Sequence, residues 1–198
     1  MKLLMTPTSP YARKAHVIIL EKGINCEITP ASPWENDEQL LATNPLRKVP
    51  VLIADDGEII IDSRTICEYL DSLNSTPPFL PTEPKARAAV KNRTALVEGA
   101  LDSMLSIIMA KRVAPEMDSA AWRDWLMSKV GSVLAYLNKD IATRNDSFDL
   151  SDVGCFCLLD MLSFRIPDYD WRTTNPALTA WFENIAPRSS LTQTDPRR

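Results

Sequence analysis

The side chains that most often act as nucleophiles are scarce or scattered in this chain. Its four cysteines, Cys26, Cys67, Cys155 and Cys157, show no C-x-x-C spacing, so neither a dithiol redox site nor a zinc site is spelled out. Cys155 and Cys157 fall in an apolar run and read as packing thiols. His16 is the single histidine, which argues against a multi-histidine metal centre and against a Ser-His-Asp triad. It reads as a packing or surface residue. What remains is hydroxyls and carboxylates beside turns. Ser9 and the pair Asp62-Ser63 each stand just before a helical pattern, where free N–H groups and the helix dipole favour an anion. Each is equally a candidate N-cap. Such a chain points to a nucleophile that is brought in from outside.

The elements that carry these residues alternate in type. Lys2 to Met5 reads as a strand broken by Pro7. Pro10 suits the first turn of a helix, where a missing N–H costs nothing. Ala12, Ala15, Val17, Ile18, Ile19 and Leu20 then make a helix over Tyr11 to Lys22, closed by Gly23. Cys26 to Pro30 reads as a second strand, and a short helix ends near Thr43. Val51 to Ile53 and Glu58 to Ile61 flank the turn signal Asp55-Asp56-Gly57 and read as a hairpin. Arg64 to Leu73 reads as a helix. The order predicts an α/β sheet whose first two strands are parallel, with a hairpin added at its edge.

The stretch from Asn74 to Pro84 holds four prolines and no usable period, so it reads as a linker. Strand signals then nearly vanish. Lys85 to about Arg112 is helical, with Leu96, Leu101, Leu105, Ile108 and Met109 on one broad face. Ser119 to Ala142 is a second helix, in which Trp122 and Trp125 read as core. Asp149 can cap a third, accepting from the N–H of Ser151 or Asp152 ahead of the apolar run Val153 to Leu162. Pro176 opens a last helix, Ala177 to Ile185, before a polar tail. The expected domains are 1–75, a linker at 76–84, and an all-helical domain at 85–198.

A chain of 198 residues has room for two modest cores. Hydrophobic residues make up 45% and charged residues 24%, an ordinary globular composition. The net charge of −4 and pI near 5.1 lack the basic footprint of a nucleic-acid binder. The opening apolar run is too short for a signal peptide. No stretch approaches the roughly 20 apolar residues of a membrane span. The expectation is a cytoplasmic protein that engages neither membrane nor nucleic acid.

Three segments resemble motifs of the cytosolic glutathione transferase superfamily at the expected places. They are Thr8-Ser9-Pro10-Tyr11-Ala12-Arg13-Lys14, Asn44-Pro45-Leu46-Arg47-Lys48-Val49-Pro50-Val51-Leu52, and Asp62-Ser63-Arg64. Asn175 to Glu183 looks like that family's final helix. The Ser-Pro-Tyr-x-Arg-Lys opening is most similar to bacterial serine-type members. The resemblance covers essentially the whole chain and implies a thioredoxin-like N-terminal domain of order βαβ-α-ββ-α, followed by an all-α C-terminal domain.

It also implies glutathione as co-substrate, no metal, and a homodimer. Asp62 would hold the γ-glutamyl ammonium, and Ser63 would hold the neighbouring carboxylate. Val49 and Pro50, with Pro50 cis, would present backbone to the middle of the tripeptide. Lys48 would meet the glycine carboxylate. Arg47 stands where many relatives carry glycine, and both cations are equally solvated loop charge. Ser9 would donate its O–H to the sulfur, a role for which Thr6 and Thr8 are alternatives. The second substrate would be a small electrophile or hydrophobe, with Tyr11, Met104, Ile108 and Arg112 as pocket candidates. Tyr11 is equally a core candidate, as are Met104 and Ile108. The implied activity is conjugation, or a related peroxidase, isomerase or dehalogenase reaction. The rival is a non-catalytic relative that binds transcription or translation proteins.

Overall fold

The computed structural model describes residues 1–74, 76–144 and 148–197. Ser75 and Arg198, the ends of two of the expected domains, lie outside them. The chain forms two compact units, Met1–Pro81 together with Arg188–Arg198, and Thr82–Pro187. The polar tail expected to belong with the helical domain therefore packs with the first unit. Buried Leu191 and the cationic side chains of Arg13 and Arg188 account for this.

In the first unit, strands β1 (Lys2–Met5), β2 (Glu27–Pro30), β3 (Val51–Ile53) and β4 (Ile59–Ile61) form one sheet of order β2-β1-β3-β4. β1 pairs parallel with β2 and antiparallel with β3, and β3 pairs antiparallel with β4. Gly57, at φ +87°, closes the β3–β4 hairpin. Helices α1 (Pro10–Glu21), α2 (Glu38–Thr43) and α3 (Ser63–Leu73) complete the βαβ-α-ββ-α order of a thioredoxin-type domain.

Alternation along the strands divides the sheet into two faces. Leu4 and Val51 pack with Leu40 of α2 and Ala31, joined by Val49 and Ile61. Leu3 and Leu52 share the other face and are fully buried. α3 packs on β3 and β4, and α1 lies against α3. Each buried leucine contributes about 1.5–3 kcal/mol relative to exposure.

The second unit is helical: α4 (Pro84–Val113), a 3-10 turn at Pro115–Met117, α5 (Ala120–Ile141), α6 (Leu150–Arg165), α7 (Trp171–Thr174) and α8 (Pro176–Ile185). A last short helix, α9 (Ser189–Gln193), belongs to the first unit. α6 is buried from Leu150 to Leu162, and its Cys155 and Cys157 are buried packing thiols. Asp149 caps α6, accepting from the N–H groups of Ser151 and Asp152, while the Asp152 carboxylate accepts from Asp149 N–H in return. Phe156 stacks on Phe182 at 4.7 Å, and Trp171 meets Phe182 edge-on at 5.6 Å.

Two details of the helical reading are corrected. Trp125 is 56% exposed and Trp122 half-buried; Lys129 Nζ sits 3.4 Å over the Trp125 ring, so the indole packs under a cation on the surface. α4 buries Val90, Val97, Leu101, Met104 and Ile107, while Leu96, Leu105, Ile108 and Met109 are half-buried. The cause is that α4 packs against both α5 and α6 and buries a wide stripe that includes polar Thr94, Glu98 and Ser103. Among the described residues no helix is long and apolar enough to cross a membrane.

Candidate functional site

The register of the sheet brings three of the sequence motifs to one edge. Leu4, Val51 and Ile61 form a single row across β1, β3 and β4. One position beyond that row lie Met5, Pro50 and Asp62. From there β1 runs through a turn into Ser9, β3 is preceded by Val49-Pro50, and β4 leads directly into Asp62-Ser63. The sheet thus ends in three chain segments side by side, with the Val49-Pro50 segment in the middle.

Ser9 is half-buried and caps α1 with its side chain accepting from Ala12 N–H at 3.2 Å. Its own N–H donates to Thr6 C=O at 3.0 Å, closing the turn. Accepting from Ala12 engages an oxygen lone pair and leaves the hydroxyl proton available to a further acceptor. The two neighbouring threonines are placed differently, with their hydroxyls 3.5 Å from each other. Tyr11 is half-buried one residue into α1, with Lys14 Nζ 5.6 Å from its ring centre.

Pro50 is buried and follows a cis peptide bond, as the resemblance implied. The Val49 side chain packs on the Leu4 cluster, and its backbone N–H and C=O make no hydrogen bond to another described residue. The loop before it is organised by Asn44, a buried residue the sequence reading did not single out. Its side chain accepts from Leu46 N–H at 3.0 Å and donates to Lys48 C=O at 2.8 Å. An Asn before a proline is a turn-initiation signal, and it was the available clue. Arg47 adopts φ +54°, the left-handed region. Both Arg47 and Lys48 are exposed.

Asp62 sits at φ +70°, ψ +127° and caps α3 by accepting from Arg64 N–H at 2.8 Å. A non-glycine residue in such a conformation is strained, and strain of this kind concentrates at functional positions. Ser63, only 7% exposed, is the first residue of α3. Neither its N–H nor its hydroxyl donates to another described residue. This first turn offers donors at a helix N-terminus, the arrangement that suits an anion.

The remaining candidates are dispersed. Met104, Ile108 and Arg112 lie at helical spacing along α4 in the second unit; Met104 is fully buried, Ile108 half-buried and Arg112 exposed. His16, half-buried on α1, has its pKa lowered by burial.

The glutathione S-transferase N-terminal domain family matches residues 3–78, a span that contains all three of these segments. The uncharacterized GST-like protein YibF of Escherichia coli K12 is 32% identical over 201 residues, covering 99% of this chain and 98% of its own. A stringent starvation protein A homolog of Coxiella burnetii is 26% identical over 167 residues, covering 84% of this chain and 76% of its own. A crystal structure of a glutathione S-transferase from Methylobacillus flagellatus KT with GSH bound is 34% identical, covers 98% of each chain and has a TM-score of 0.93. Identity of 32% and 34% over nearly the whole length of the Escherichia coli and Methylobacillus flagellatus proteins, on a fold that gathers the three motifs at one sheet edge, makes this chain a member of the glutathione S-transferase family.

Proposed function

We propose that the protein binds glutathione along this sheet edge, ionises its thiol and conjugates it to a small electrophile. The observation that carries the reading is the shared row Leu4–Val51–Ile61, which brings the segments carrying Ser9, Val49 and Asp62-Ser63 to one edge of the sheet. Adjacent strands stand about 4.8 Å apart, so β1 and β4 are separated by about 10 Å across β3. An extended chain of three residues spans about the same distance.

Each part of glutathione then meets matching chemistry. The γ-glutamyl ammonium goes to the Asp62 carboxylate and the neighbouring carboxylate to the Ser63 N–H and hydroxyl. The cysteinyl residue pairs with the open Val49 N–H and C=O like an added strand. The glycine carboxylate goes to Lys48, with Arg47 beside it. The Methylobacillus flagellatus relative with GSH bound supports glutathione as the ligand.

The sulfur reaches the start of α1. A free thiol has a pKa of about 8.5 and is only a few per cent thiolate near neutrality. Ser9 lowers that value by donating its O–H to the anion, and the open end of α1 adds its dipole. A shift of about two units corresponds to about 2.7 kcal/mol of preference for the thiolate. The thiol proton leaves to solvent. The thiolate then attacks an electrophilic carbon, forming a C–S bond as the leaving group departs with its electron pair. Tyr11, half-buried two residues beyond Ser9 at the start of α1, would line the acceptor's side of the site.

Calorimetric titration with glutathione, beside chloride release from a chlorodinitrobenzene, tests the reading. Binding in the micromolar to millimolar range, with turnover that falls in Ser9→Ala, is the expected outcome. Likeness to a stringent starvation protein A homolog supports a second reading, a non-catalytic partner-binding protein. No binding at millimolar glutathione would decide for it. The proposal includes a homodimer, for which light scattering should give about twice the 22.2 kDa of one chain.

A further inference from the structure

We propose that Arg13 is a positioning residue for the Ser9 hydroxyl, held in place by the chain's own C-terminal segment from Arg188 to Thr194. This rests on the reading of Ser9 as the sulfur's hydrogen-bond donor. Arg13 lies on the first turn of α1 and is only 4% exposed. A guanidinium that deep needs its donors satisfied. Its Nε donates to Thr194 Oγ1 at 3.1 Å and its Nη2 to Leu191 C=O at 3.0 Å. Both acceptors come from the far end of the chain. Thr194 and Leu191 are themselves buried.

Arg13 is coupled directly to Ser9. Its backbone N–H donates to Ser9 C=O at 2.9 Å, the first hydrogen bond of the helix. The Ser9 hydroxyl is held in turn by Ala12 N–H. The position of the sulfur donor is therefore set by where the first turn of α1 sits, and the Arg13 side chain ties that turn to α9.

A second tie fixes the other end of α1. The Glu21 carboxylate accepts from Arg188 Nε at 3.1 Å and Nη2 at 2.8 Å, and also from Ser190 Oγ. Arg13 and Glu21 are eight residues apart, about 12 Å along a helix at 1.5 Å per residue. Two ties at that spacing resist both sliding and rotation of α1. A displacement of about 1 Å at a reacting group costs about a hundredfold in rate, so a strap of this kind acts on the thiol as well as on the fold.

The test uses Arg13→Met and the milder, isosteric Thr194→Val in the full-length protein. Thiolate absorbance of bound glutathione against pH gives the bound thiol's pKa, and titration with S-methylglutathione, which has no thiol, reports the rest of the site. The expected result is a thiol pKa raised by about 0.5–1 unit, a three- to tenfold loss of thiolate below that pKa. S-methylglutathione affinity should change less than about twofold, since this ligand does not use the O–H···S⁻ bond. Should Arg13→Met fail to fold, Thr194→Val carries the test alone. A bound-thiol pKa equal to wild type in the folded variants, whatever their melting temperatures, would overturn the proposal and leave the strap purely structural. Failure of the wild type to bind S-methylglutathione would overturn the glutathione reading itself.

Discussion

Ser9 Oγ and Ala12 N–H stand 3.2 Å apart, so one hydroxyl closes the start of α1 while its proton remains free to donate elsewhere. The two tasks separate by substitution. Ser9→Ala loses the cap, at a cost of about 1 kcal/mol, and also loses the donor to sulfur. Ser9→Asp keeps a strong cap but sets a carboxylate where a thiolate should sit. Denaturant melts should therefore show Ser9→Asp near wild-type stability and Ser9→Ala below it. Conjugation should fall in both, and Ser9→Asp should show the higher bound-thiol pKa. Equal conjugation in all three proteins would remove Ser9 from the chemistry.

Arg47 occupies φ +54°, a region that costs a non-glycine residue about 1–2 kcal/mol. Glycine relieves that strain but gives back about 0.5–1 kcal/mol as chain entropy in the unfolded state. Arg47→Gly should thus be more stable than wild type by up to about 1.5 kcal/mol, read as a higher denaturation midpoint. Arg47→Ala, which keeps most of the strain, should gain nothing. Both remove the cation, so both should weaken glutathione equally if Arg47 meets the glycine carboxylate. Calorimetry on the pair separates backbone from charge.

Arg47 stands out in the sequence only by the resemblance, which implies glycine there in many relatives; its positive φ has no signal of its own. The same division holds across the chain. The strand-helix order of the first unit could be read because Pro10, Gly23 and Asp55-Asp56-Gly57 punctuate it strongly. Convergence of Ser9, Val49 and Ser63 followed only by resemblance, because nothing in a single sequence states that Leu4 pairs with Val51 and Val51 with Ile61. α7 and α9 were missed because helices of four and five residues leave no periodic signal. The Arg13–Thr194 tie, spanning 181 positions, has no local signature either.

Asp152 should give the protein an unusual pH response. Burial, together with the negative charge of Asp149, raises its pKa to about 6 against the opposing pull of Arg144. It belongs to a cluster in which Asp140, Asp149 and Asp152 face Arg93 and Arg144. A carboxyl that binds its proton more tightly when folded adds stability at low pH. That contribution is full below about pH 4, the unfolded value, and is lost as pH rises through about 6. Glu21 runs the other way. Burial alone would raise its pKa, but hydrogen bonds from Arg188 and Ser190 outweigh that and lower it. Its contribution is present above the unfolded value of about 4.3 and disappears as pH falls below it. Melting temperatures from pH 3 to 8 should show Asp152→Asn losing the decline between pH 4 and 6. Glu21→Gln should lose part of the acid-side drop.

The two tryptophans Trp125 and Trp171 should differ sharply in what their replacement costs. Trp171 is 1% exposed, donates from Nε1 to Ser163 Oγ at 3.1 Å and packs edge-on against Phe182. Trp171→Ala empties a large buried volume and should cost about 3–5 kcal/mol. Trp171→Phe keeps most of the contact area, and the Ser163 hydroxyl still donates to Leu159 C=O at 2.9 Å and accepts from Arg172 Nη1 at 3.0 Å, so losing the indole bond should cost only about 0.5–1.5 kcal/mol. Trp125 has water over more than half its surface and one cation partner, Lys129, worth about 0.5–1 kcal/mol at an exposed site. Trp125→Gln should therefore change stability by no more than about 1 kcal/mol, and Lys129→Gln alone should account for most of that change. Urea denaturation of the four variants decides the matter. A loss at Trp125 comparable to that at Trp171 would mean the indole is covered in solution by something other than Lys129.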